Sequence, residues 1–251
     1  MSHLSAPTVL ITGSSSGIGL DAARSWVADG ANVVLNGTDR AKLDRAAQAL
    51  GNPEQVLAVP GDISDPATGR AMVDGARERF GRVDVLVNNA GVFGAGPFLD
   101  STLDDLDRYY AVNVRGTFVT TQAVVPALIE AGGGAIVNVG SLLVDAALLG
   151  VPASAQTASK GAVHALTVSW AAEFAPHRIR VNALVPGMIR TPLHGGGADG
   201  LAGVAALNRV GEVAETTQAL RYLAAAEFVT GTLLRVDGGY HGARAAASGQ
   251  G

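Results

Sequence analysis

The chain has 251 residues, 48% apolar and only 16% charged, with a net charge of −4. That size and apolar share predict one large α/β domain spanning residues 1–251, and the scattered, mildly acidic charge excludes the basic face that nucleic acid requires. Zero cysteines exclude disulfides, thiolate catalysis and cysteine metal sites, five unclustered histidines predict no metal centre, and no run is long enough to span a membrane.

Residues 1–5 carry no charged-then-apolar signal, so the expected location is the cytoplasm. Residues 1–7 read as a loose tail. Thr8, Val9, Leu10 and Ile11 form an aliphatic run of the kind found in strands buried on both faces. The turn Gly13-Ser14-Ser15-Ser16-Gly17-Ile18-Gly19 follows, then a helical pattern over 18–29 closed by Gly30. Glycines let the backbone approach a pyrophosphate, and a helix start offers free N–H groups with partial positive charge. Strand, turn and helix together predict the phosphate end of a dinucleotide site. The spacing is Gly-x-x-x-Gly-x-Gly, not the Gly-x-Gly-x-x-Gly fingerprint.

Further strands are predicted over 32–35, 55–59, 83–87, 134–139, 180–185 and 232–236, and helices over 39–50, 66–80, 102–131, 154–174 and 213–226. Pro126 is expected to kink the long helix. Strands alternating with helices at this pace predict a doubly wound, Rossmann-type, seven-stranded parallel sheet with helices on both faces. Residues 242–251, all small or polar apart from Arg244, are expected to fray.

Several motifs occur in order: Thr12-Gly13-x-x-x-Gly17-Ile18-Gly19, Asp62, Asn88-Asn89-Ala90-Gly91, Asn113, Ser141, Lys160, Pro186-Gly187 with Thr191, and Val236-Asp237-Gly238-Gly239. Singly, each has a plain reading: a helix cap, a turn or a solvated lysine. Together, over residues 12–239, they resemble the short-chain dehydrogenase/reductase family. The resemblance implies hydride transfer between a nicotinamide and a carbonyl or alcohol, with Asn113, Ser141, Gln156 and Lys160 at the catalytic positions. It implies a cofactor wall of Gly13, Ser15, Ser16, Gly17, Ile18, Gly19, Thr38, Arg40, Asp62, Ile63, Asn89, Ala90, Gly91, Lys160, Pro186, Gly187, Ile189 and Thr191. Asp62 would hold the adenine, and the Thr191 hydroxyl would sit near the nicotinamide carboxamide.

One position departs from the family pattern. Family members carry Tyr-x-x-x-Lys, whose phenol gives its proton to the substrate carbonyl; here Gln156 stands four residues before Lys160. A carboxamide donates and accepts hydrogen bonds but does not titrate in water. General acid–base help is worth roughly 10²–10⁴ in rate, so the usual mechanism is lost while hydride positioning survives. Three readings follow: a reductase with another proton source, a non-redox enzyme such as an isomerase, cyclase or dehydratase, or a catalytically silent nucleotide-binding subunit. The first is favoured because Asn113, Ser141 and Lys160 are all retained. Lys160 itself, or Ser141 with a water chain, could supply the proton. Tyr109, Tyr110, His194 and Tyr240 are the other titratable candidates, with Tyr109 and Tyr110 expected to pack in the long helix and His164 to be a partly buried helix residue.

NAD-preferring relatives place an acid at the end of the second strand, where this chain has Gly37. Asp39 lies nearer the generic offset of about 20 residues, but it suits the start of the next helix. Arg40 could meet a 2′-phosphate, so NADP(H) is the expected cofactor and NAD the alternative. The resemblance implies a substrate lid over 190–210, and three consecutive glycines there predict mobility. An aliphatic wall at Leu142, Leu143, Leu148 and Leu149 predicts a hydrophobic small-molecule substrate, and a rebuilt loop is expected over 148–153. Relatives form homotetramers through the helices bearing Asn113 and Lys160. Small residues there (Ala158, Gly161, Ala162, Ala165, Ala171, Ala172) suit such a homotetramer, or a homodimer.

Overall fold

Seven parallel strands form one sheet in a computed structural model of the chain, which describes residues 6–192 and 200–242. They are β1 (Thr8–Ile11), β2 (Asn32–Gly37), β3 (Val56–Pro60), β4 (Val85–Asn88), β5 (Gly134–Val139), β6 (Ile179–Pro186) and β7 (Leu233–Val236). Their spatial order is β3-β2-β1-β4-β5-β6-β7. Every residue of β1 and β4 is buried, as strands covered on both faces must be.

The helices are α1 (Gly17–Ala28), α2 (Arg40–Leu50), α3 (Pro66–Phe80), α4 (Leu103–Tyr109), α5 (Thr117–Glu130), α6 (Ser154–Phe174) and α7 (Val213–Ala225). Successive strand residues point to opposite faces, and two apolar layers result. Val9, Ile11, Val33 and Leu35 pack with Trp26, Leu43 and Leu220 from α1, α2 and α7. Leu10, Val34, Leu86 and Ile136 pack with Met72, Leu128 and Trp170 from α3, α5 and α6. No helix among the described residues is long and apolar enough to cross a membrane.

The predicted single helix over 102–131 is three segments. Between α4 and α5, Tyr110–Gly116 winds as a π-helix, and Pro126 lies inside a continuous α5. The irregularity therefore falls at Asn113 and not at the proline. The wider turn coincides with a side chain that bonds another loop, a common setting for π-helical turns. Other boundaries shift by at most two residues, as helix and strand ends do. Pro7 is already tied to the sheet, its carbonyl accepting from Asn32 N–H at 2.9 Å.

Ile189 bridges Gly211, so residues 190–210 leave and return at one point. Residues 193–199, which hold the glycine run of the expected lid, lie outside the described residues, as do 1–5 and 243–251 of the two expected tails.

Candidate active site

The sheet order reverses between β1 and β4, and in open α/β sheets that is where ligand crevices form. A cavity of about 470 Å³ lies there, lined from the β1–α1 turn by Gly13, Ser15, Ser16, Gly17 and Ile18. Gly13 has a φ of +62°, and a Cβ on it would stand 2.7 Å from Ala90 Cα. Gly19 does not line the cavity. A Cβ there would lie 2.6 Å from Asn89 Nδ2, which donates to the Thr12 and Gly13 carbonyls at 2.9 Å. Its role is to let the loop after β4 close on the glycine turn. Side chains of Asp39, Asp65 and Thr102 cap α2, α3 and α4, whereas α1 has no side-chain cap bond and no acid in its first turn. Of its first N–H groups, those of Gly17 and Ile18 belong to residues that line the cavity. That combination fits a phosphate-bearing ligand.

Thr38, Asp62, Ile63, Asn89, Ala90 and Gly91 continue the wall, and Pro186, Gly187, Ile189 and Thr191 close it after β6. Asp62 accepts from Ser64 N–H at 2.8 Å and is not the cap of α3, which is Asp65. Arg40 is not among the lining residues; its guanidinium pairs with Asp44 at 2.9 Å on the exposed face of α2.

At the other end, α6 carries Gln156 and Lys160 one turn apart, both lining the cavity beside Ser141. Lys160 is 7% exposed, and its Nζ donates to the Val139 carbonyl at 2.7 Å. Burial pushes its ammonium down to about 8. Asn113 is fully buried behind the cavity wall. Its Oδ1 accepts from Val92 N–H at 2.9 Å, and its Nδ2 donates to the Val92 carbonyl and to Ser159 Oγ. Ser159 Oγ in turn donates to the Gln156 carbonyl at 2.7 Å, so the π-helical segment, the loop after β4 and the start of α6 form one bonded unit. A Cβ on Gly91 would stand 3.1 Å from both Asn113 Oδ1 and Lys160 Nζ, which shows how closely that loop passes the pair.

Gln156 is 3% exposed, and its Oε1 has no hydrogen-bond partner among the described residues. It also lines a second cavity of about 120 Å³, shared with Asp100, Ser101, Asp105 and Tyr109. His164 accepts from Ser141 N–H at Nε2 (3.4 Å), a contact absent from the sequence reading. Burial pushes its imidazole down, and Asp145 partly opposes the shift.

None of the described tyrosines lines the main cavity. Tyr109 is buried against the second one, Tyr110 is 40% exposed, and the Tyr240 hydroxyl donates to the Ala147 carbonyl at 2.9 Å. His194 lies outside the described residues. The apolar wall differs from expectation. Leu142 and Leu143 line the cavity, but Leu148 packs behind them and Leu149 is 98% exposed. Phe93, Val112, Val151, Met188 and Leu201 complete it. They lie in loops, in the π-helical segment and in a short 3₁₀ turn, where no regular period marks a buried face.

A seven-stranded parallel sheet with helices on both faces, and a glycine turn opening α1 at the point where the strand order reverses, define a Rossmann-type fold. The short chain dehydrogenase family model matches residues 7–200. Oxidoreductase UcpA of Escherichia coli (strain K12) is 35% identical over 254 aligned residues, covering 95% of this chain and 96% of that protein. A short-chain type dehydrogenase/reductase from Mycobacterium marinum superposes with a TM-score of 0.89 at 34% identity, over 94% of this chain and 96% of that one. A 3-ketoacyl-(acyl-carrier-protein) reductase from Brucella melitensis, complexed with NADH, gives 0.89 at 33% identity over 95% and 99%. The chain belongs to the short-chain dehydrogenase/reductase family, and is an oxidoreductase of that type.

Proposed function

We propose that this protein transfers hydride between NADP(H) and the carbonyl or alcohol of a hydrophobic small molecule, with a proton donor other than tyrosine. The observation that carries the reading is the continuity of one cavity from the uncapped start of α1 to Ser141, Gln156 and Lys160. A bound nicotinamide would supply or accept the hydride. The turn from Gly13 to Ile18 would hold its phosphates, Asp62 and Ile63 the adenine end, and Thr191 the carboxamide end. Ser141 Oγ and the Gln156 carboxamide hold the substrate oxygen. Leu142, Leu143, Phe93 and Met188 keep water from the reacting carbon, which strengthens each polar contact inside.

NADP(H) is favoured over NAD because Gly37 leaves no carboxylate at the end of β2 to grip a ribose 2′-hydroxyl, while the hydroxyls of Ser15, Ser16 and Thr38 line that end. An aliphatic keto substrate agrees with the wall and with the 3-ketoacyl substrate named for the Brucella relative. The protein works in the cytoplasm as a homotetramer or homodimer. Exposed Phe118 on α5 and Val168 on α6 support that assembly.

NADPH and NADH fluorescence titrations, followed by oxidation assays on aliphatic ketones, test the reading. Tighter binding of NADPH and turnover of at least one ketone are expected; affinity for neither nucleotide would refute it. The silent-subunit reading draws on Gln156 alone. Gln156→Tyr decides between them: a variant up to roughly 10²-fold faster than an active parent supports the proposal. Activity created where the parent has none supports the silent subunit.

A further inference from the structure

Resting on the reading above, we propose that Lys160 is itself the acid–base residue, giving its Nζ proton to the substrate oxygen that Ser141 and Gln156 hold. Elimination within the cavity carries this. Among the described lining residues only Asp62 and Lys160 titrate, and Asp62 lies in the loop after β3, engaged with Ser64, while Lys160 shares the α6 face with Gln156. The three described tyrosines left as donors have their hydroxyls elsewhere, at the second cavity, at the surface or on Ala147.

In reduction, a bound reduced nicotinamide would supply the hydride to the carbonyl carbon and leave oxidised, while the Lys160 ammonium gives its proton to the carbonyl oxygen. The alcohol then leaves a neutral Lys160 amine, which recovers its proton from solvent. The amine keeps its bond to the Val139 carbonyl throughout, since Nζ has hydrogens to spare. The Gln156 Nε2 amide donates to the substrate oxygen, which leaves the alcohol's single hydroxyl proton to face that amine in the reverse direction. Burial holds Lys160 near 8, where an acid–base group works in both directions near neutral pH.

The chain contains only two lysines, Lys42 on the exposed face of α2 and Lys160. Protein labelled with ¹³C at lysine Cε therefore gives two lysine signals, assigned with Lys42→Arg. The Lys160 signal is expected to titrate near pH 8 without nucleotide, and reductase activity is expected to fall above the same midpoint. Lys160→Ala should lose at least 100-fold in rate and regain part of it with added primary amines, in order of their pKa. Tyr109→Phe should stay within about twofold. Overturning results are a Lys160 signal that stays charged through pH 9, an amine-insensitive Lys160→Ala that still binds nucleotide, or a Tyr109→Phe loss as large as that of Lys160→Ala. Absent nucleotide binding and turnover in the parent would instead sink the oxidoreductase reading, and the NMR midpoint would still judge the lysine.

Discussion

Lys160 shows how a functional residue opposes stability. Its ammonium is lowered from 10.5 to about 8 by burial, so the folded state sheds a proton that the unfolded chain keeps. Between those values the unfolded state binds more protons, and stability must rise with pH. A shift of that size corresponds to about 3 kcal/mol. The destabilisation is fully present below pH 8 and fades toward pH 10.5. Denaturant melts at pH 7 and pH 10 should show this gain, set against other titrating groups by comparison with Lys160→Met. That variant should be flat over the window and more stable than the parent at pH 7, by roughly 1–3 kcal/mol after losing the bond to Val139. A parent-like slope in Lys160→Met would remove Lys160 as its cause. The sequence pattern located Lys160 and Gln156 correctly on one helix face, but burial, which sets the lysine's chemistry, comes from β5 and the loop after β4 and leaves no local mark.

At the scale of elements, the site depends on segments that depart from regular geometry. Asn113 ties the π-helical turn to Val92 and Ser159. Asn113→Leu keeps the branched shape but strands the Val92 N–H, so a loss of about 2–4 kcal/mol is expected in urea unfolding; a loss below 0.5 kcal/mol would mean the turn holds without it. Gly19→Ala forces a methyl against Asn89 and the Gly13 carbonyl. Overpacking costs about 1–3 kcal/mol, and in this turn it should weaken NADPH at least about tenfold. Unchanged affinity would show that the turn absorbs the methyl. The strands and most helices were legible because aliphatic runs and 3.6-residue periods report burial directly. The π-helical turn was not. Residues 110–116 keep a helical composition, and the expected break at Pro126 failed because α5 continues through it.

For the whole molecule, a ligand that binds only the folded state stabilises it by mass action. NADPH at 100 times its Kd should add about 2.7 kcal/mol, or some 5–10 °C in melting temperature for a domain of this size. A thermal shift under 1 °C at that saturation would contradict the proposed cofactor. Light scattering should give two or four times 25.3 kDa, and the monomer mass would end the assembly proposal. Topology was legible through the alternation of strands and helices, whereas the cavity's apolar wall was legible only at Leu142 and Leu143, since Phe93, Val151 and Met188 come from three separate loops.

The pairing of β1 with β4 also has a consequence for biosynthesis. Thr8 and Asp84, bonded to each other, are 76 residues apart in the chain. At ribosomal speeds of 5–20 residues per second, one flank of a strand destined for full burial stays bare for about 4–15 s. That interval is when a nascent-chain chaperone has most to shield. A helix-side mutation that slowed the closing of β4 would then show itself first as aggregation during expression, before any defect in the finished enzyme.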